Sequence, residues 1–135
     1  ILVRRSQRRF QTRSGFCVGV VLTTPPFPYT REQLDDPIGL PVLISDNEPD
    51  HFHYGEIGCN DSGQLVTSGL YGWTMVVTGI GPNIAEAQRA AYARVARVFT
   101  PNLRYRTDIG NRLIAGELTI IEELGLLDAK AGRSH

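Results

Sequence analysis

From His51 to Thr78 the chain presents three strand-like runs in quick succession, with only turn residues between them. His51 to Ile57 alternates imperfectly, so that Phe52, Tyr54 and Ile57 can share a face. Gln64 to Ser68 returns, and Trp73 to Thr78 follows after Gly69 and Gly72. A parallel crossover needs a dozen or more residues, so this spacing dictates antiparallel pairing. The expected hairpin turns within Gly58 to Gly63, where Asn60, Asp61 and Ser62 supply turn-forming side chains and Gly63 a left-handed position.

The flanking segments complete an α+β pattern. Phe16 to Thr24 is apolar and β-branched, which predicts a buried strand. It stops at Pro25, Pro26 and Pro28, whose missing donors force an extended, non-helical path. Thr30 to Asp36 suits one helical turn, Pro37 to Pro41 a turn, Val42 to Ser45 a short strand, and Asp46 to Asp50 an exposed acidic loop. Beyond Thr78 the period changes. Asn83 and Glu86 form a capping-box pair, and Ile84, Ala87, Ala91, Val95 and Val98 recur at helical spacing, predicting one main helix over about 84–99. Gly79-Ile80-Gly81-Pro82 reads as the turn launching it, because Pro82 lacks a donor and no Lys follows to make a phosphate loop. Asp108 is placed to cap a turn running towards Ala115. Thr119 and Glu122 open a short C-terminal helix through Leu124, and Gly125 is placed to end it.

At 135 residues there is room for one core, here taken as 16–127, between a basic linker or edge segment at 1–15 and a disordered tail at 128–135. With 14 basic and 14 acidic residues, bulk charge selects no partner. Arg4, Arg5, Arg8, Arg9 and Arg13 crowd the start, yet no aromatic stacking series accompanies them, which argues against nucleic acid. No apolar run is long enough for a membrane span, no signal-peptide pattern is present, and two cysteines do not make a disulfide framework, so a cytoplasmic protein is expected.

The chemistry-bearing residues form no catalytic set on spacing alone. His51 and His53 on one strand face, with Cys59, would give three zinc ligands, but their spacing matches no zinc pattern and no metal is expected. Cys59 with His53 lacks the orienting third group that a thiolate nucleophile requires. Arg104-Tyr105-Arg106-Thr107-Asp108 can hold a phosphate or carboxylate, or can be an internal Arg–Asp pair fixing its loop; spacing leaves both open.

Several motifs in order carry a resemblance. Pro37-Ile38-Gly39-Leu40, Phe52-His53-Tyr54-Gly55-Glu56, the return run Gly63-Gln64-Leu65-Val66-Thr67-Ser68-Gly69, the helix opening Asn83-Ile84-Ala85-Glu86-Ala87 with Ala91-Tyr92, and Tyr105-Arg106-Thr107-Asp108-Ile109-Gly110 stand in sequence. Together, over Val18 to Asn111, they resemble the C-terminal domain of the phosphoribosylamine–glycine ligase (glycinamide ribonucleotide synthetase) family, of the ATP-grasp superfamily. The resemblance implies a small, mostly antiparallel β-barrel/sandwich hybrid. It also implies a domain that packs on the ATP-grasp core domains of the same polypeptide and helps to close the active site of a purine-biosynthetic enzyme forming an amide with ATP. Alone, such a domain is expected to be inactive and to carry no cofactor, since ATP and Mg²⁺ sit on the core domains of the parent enzyme. His53, Arg106 and Asp108 become the expected contacts to a small-molecule substrate.

The chain is a divergent member on this reading. Trp73 stands where the family has the Arg of Gly-Gly-Arg, after two inserted residues, and Pro25-Pro26 replaces Gly-Gly. The missing Arg puts substrate-phosphate binding in doubt. The alternative is a stand-alone binding or assembly domain that has lost the ligase chemistry.

Overall fold

The computed structural model describes residues 13–28 and 37–127. The helical turn expected at Thr30 to Asp36, the tail at 128–135 and residues 1–12 of the basic start lie outside them.

The first strand, β1 (Phe16–Thr23), alternates as a half-buried strand must: Val18, Val20 and Leu22 are buried, while Cys17, Gly19 and Val21 face out. Two residues, Leu43–Ile44, form β2, shorter than expected. A 3-10 turn at Pro49–His51 leads into β3 (Phe52–Tyr54), and β4 (Ile57–Cys59) and β5 (Leu65–Thr67) follow. The longest strand, β6 (Trp73–Gly81), precedes α1 (Ile84–Val95), then β7 (Val98–Phe99) and the short α2 (Leu118–Glu123).

Among the described residues all strand pairings are antiparallel, as the spacing dictates, in three sheets ordered β1-β6-β3, β2-β7 and β4-β5. The α+β class holds, with these described strands forming separate small sheets and no closed barrel.

The expected hairpin is divided. Phe52, His53 and Tyr54 pair with Val77, Val76 and Met75 of β6, and only Ile57–Cys59 pairs with the return strand. Gly55 makes the division: its N–H donates to the Thr74 carbonyl, and a Cβ there would lie 2.7 Å from the Trp73 carbonyl oxygen. The turn between β4 and β5 is as expected. Asn60 Oδ1 accepts from Ser62 N–H at 3.0 Å and Gln64 N–H at 2.9 Å, and Gly63 has φ +75°. Thr67 then pins the neighbouring turn, donating to the Pro37 carbonyl at 2.6 Å and accepting from Leu40 N–H at 3.0 Å.

The core lies between α1 and one face of the β1-β6-β3 sheet. Ile84, Ala87, Ala91 and Val95 meet Val18, Val20, Leu22, Met75 and Val77, all buried. Gly79 and Gly81, expected in a turn, are instead the end of β6, directly beneath the helix. A Cβ at Gly79 would stand 2.2 Å from Ala91 N, and one at Gly81 2.6 Å from Ala87 N. Alanine above and glycine below bring the two backbones together.

Asn83 caps α1 as expected, its Oδ1 accepting from Glu86 N–H at 2.9 Å. The helix stops at Val95, short of the expected 99, because Val98 and Phe99 leave to pair with Ile44 and Leu43. Val98 still reaches the core, so the apolar stripe continues although the helix does not. Downstream, a π-turn at Leu113–Glu117 with Gly116 at φ 129° runs into α2, so Thr119 falls inside the helix and makes no capping box. Gly125 ends α2 with φ +67°: its N–H donates to the Glu122 carbonyl and that of Leu126 to the Ile121 carbonyl, the paired bonds of a Schellman motif.

Candidate functional site

The sheet face opposite α1 carries the histidines. His53 Nε2 lies 3.2 Å and His51 Nδ1 3.3 Å from the same Thr78 hydroxyl oxygen, which is also 3.4 Å from the His51 carbonyl. A hydroxyl has one proton. If Thr78 donates it to the carbonyl, both imidazoles donate to the hydroxyl, which fixes the proton on His51 Nδ1 and on His53 Nε2. These groups line a cavity of about 520 Å³ with Arg13, Cys17, Asp50 and Ile80. Cys59 is elsewhere, on β4 opposite Leu65. Among the described residues no three His, Cys, Asp or Glu side chains are grouped to hold a metal ion.

Arg106 and Asp108 stand on a loop tied to α1, and no described hydrogen bond or ion pair joins them to His53. They form the internal pair, with Arg106 Nε 2.9 Å from Asp108 Oδ1 and Nη2 2.6 Å from Oδ2. This two-point contact holds the Asp108 carboxyl below its ordinary range and raises the guanidinium further. Asp108 therefore does not cap the next turn through its side chain. The loop is tied to α1 by Tyr92, whose hydroxyl donates to the Arg106 carbonyl at 2.7 Å and accepts from Ile109 N–H at 3.1 Å. Gln88 adds donations to the Ile109 carbonyl at 2.8 Å and to Asn111 Oδ1 at 2.6 Å. With both side chains largely exposed, the Arg106–Asp108 pair presents a charged, fixed surface.

The acidic loop is tied to the end of α1 and to the turn that follows it. Arg97 reaches Asp46 at 2.8 Å, and Arg94 binds Glu48 while donating to the Thr78 carbonyl. The Asp46 carboxyl is held low by the Glu48 backbone N–H and then by Arg97, and that of Glu48 by Arg94.

Glu56 was not singled out by its spacing. Its Oε2 accepts from Gly72 N–H at 2.6 Å, Trp73 N–H at 3.1 Å and Tyr71 N–H at 3.2 Å. Trp73, marked as a departure from the family pattern, thus contributes its backbone to this carboxylate, while its side chain is 53% exposed. A carboxylate four residues before the turn carries no sequence signal that it will reach three amides fifteen or more positions on.

Residues 17–112 match the sequence profile of the family described as phosphoribosylglycinamide synthetase, C domain. Phosphoribosylamine–glycine ligase of Xylella fastidiosa (strain 9a5c) is 37% identical over 106 residues, covering 76% of this chain and 22% of that protein. The enzyme of the same name from Neisseria meningitidis serogroup A is 32% identical over 97 residues, covering 72% and 22%. The crystal structure of phosphoribosylamine–glycine ligase from Thermotoga maritima superposes with a TM-score of 0.59 at 29% identity, over 70% of this chain and 22% of that one. The chain thus spans less than a quarter of the length of the relatives it matches. The profile match takes in the motifs from Val18 to Asn111, and the chain belongs to the phosphoribosylglycinamide synthetase C-domain family.

Proposed function

We propose that residues 16–127 act as the C-terminal domain of a cytoplasmic phosphoribosylamine–glycine ligase, joining glycine to phosphoribosylamine with ATP in purine biosynthesis. The observation that carries this is the family match over 17–112, supported by the fold shared with the Thermotoga maritima enzyme. In this reading the domain packs on ATP-grasp core domains of the same polypeptide and helps to close the active site. ATP and Mg²⁺ are bound by the core, where the phosphate clamps lie. His53 and the Arg106–Asp108 pair are two separate contact points towards the substrate.

The test compares residues 1–135 alone with a chimera in which they replace the matching quarter of the Thermotoga maritima ligase. ATP-dependent amide formation is expected from the chimera and not from the isolated chain. Ligation by the isolated chain overturns the reading. A folded chimera without activity favours the second reading, an assembly domain that has lost the chemistry, to which Trp73 in place of the family's Arg already points.

A further inference from the structure

Three consecutive amides, those of Tyr71, Gly72 and Trp73, converge on Glu56 Oε2, and Tyr71 N–H also lies 3.2 Å from Oε1. Successive N–H groups turned to one point make a concave, positively polarised receptor for an anion without any cationic side chain. Hydrogen bonds from such donors to a charged oxygen are short and strong, as the 2.6 Å contact from Gly72 is.

The receptor is shaped by groups other than the carboxylate. Gly72 has φ +78°, its carbonyl accepts from Thr24 N–H at 2.8 Å, and a Cβ on it would lie 1.9 Å from the Thr24 carbonyl oxygen. The Trp73 carbonyl accepts from Glu56 N–H at 2.9 Å, a backbone bond that survives any change of the Glu56 side chain. The Glu56 side chain fills the space over Gly69, where a Cβ would fall 2.0 Å from Glu56 Cδ. Tyr71 and Trp73 are 65% and 53% exposed, while Gly72 between them is buried with Glu56 over its amide, so the carboxylate occupies the approach to the central donor.

We propose that the Tyr71–Trp73 amides are an oxyanion site and that Glu56 is its built-in occupant, a specificity-determining residue that denies the site to phosphate groups. Because it arrives on the same chain, the carboxylate is present at an effective concentration that a free anion must exceed. Removal of the carboxylate leaves the amides to an external oxyanion. The proposal rests on the loop geometry and stands apart from the ligase reading.

The test is an amide-resolved NMR titration of the full chain with inorganic phosphate, against sodium chloride at matched ionic strength. In the unsubstituted protein the three amides should not respond to phosphate. In Glu56→Ala they should shift saturably with phosphate, and acetate should compete. Glu56→Gln, which keeps a neutral acceptor in place, should respond much less than Glu56→Ala. Saturable phosphate shifts at these amides in the unsubstituted protein would overturn the proposal, as would a folded Glu56→Ala that ignores both anions. Should Glu56→Ala unfold, phosphate and not chloride must restore its dispersed spectrum, and failure to do so equally overturns the proposal.

Discussion

The two faces of the β1-β6-β3 sheet solve opposite problems with the same strands. Towards α1 the strands present Val18, Val20, Leu22, Met75 and Val77, then glycine where the helix comes nearest, and that side is buried and close-packed. Away from α1 the same strands present Cys17, Val21, Thr78, Ile80 and, on β3, His53, with Val21 41% and Ile80 37% exposed. The alternation of a strand carries both programmes at once, and neighbours in sequence such as Val21 and Leu22 belong to different environments. Stability is therefore concentrated on one face, and the other is free to carry polar chemistry.

Substitutions can break this comparison, and the largest effect is expected where the backbones meet. Gly79→Val should cost about 3 kcal/mol or more, because the added carbon meets main-chain atoms of Ala87 and Ala91, which no rotamer change can move. Denaturant unfolding checks this, and a loss under about 1 kcal/mol would mean the helix rides higher than described. Leu22→Ala, which empties a fully buried site, should cost about 2–5 kcal/mol. Asn83→Ala, loosening the start of α1, should cost about 1 kcal/mol.

A smaller effect appears only in acid. The carboxyls of Asp46, Glu48 and Asp108 are all held below their ordinary values in the folded state. Their contribution is thus complete above the unfolded values, about pH 4, and is lost as pH falls through the lower folded ones. A stability–pH profile of Arg94→Ala should fall less steeply in that acid window than that of the parent protein. A profile unchanged from the parent's would mean that the Arg94–Glu48 pair is not kept in solution. Least of all should Val21→Ala matter, within about 0.5 kcal/mol. If its cost instead approached that of Leu22→Ala, the open face would have to be covered in solution.

What the sequence disclosed was governed by how local the cause is. The start of α1 was legible because Asn83 and Glu86 act on each other within one turn, and the β4–β5 turn because Asn60 and Gly63 act within the loop. The end of α1 was misplaced because Val98 keeps the helical apolar spacing while bonding to Ile44, over fifty positions away. Gly79 and Gly81 were read as a turn, and Gly55 only as part of a motif, for a different reason. A glycine needed for backbone angle and one needed for room look the same in a sequence, and all three are needed for room. The family motifs named His53, Arg106 and Asp108, but not that the first bonds to Thr78 while the other two bond to each other. Glu56 escaped notice because its partners are amides, which every residue except proline possesses.

The seating of α1 on Gly79 and Gly81 has a mechanical consequence. Most helices rest on side chains, whose sizes set the separation and drift as a core is repacked. Here main chain rests on main chain, a hard stop that works like the datum edge of a jig. Tyr92 and Gln88 carry the Arg106–Asp108 loop from that helix. The position of those charges is thereby referred to main chain at both ends, to the helix seated on two missing side chains and, two residues before Arg106, to β1 through the paired Thr23 and Arg104 backbones.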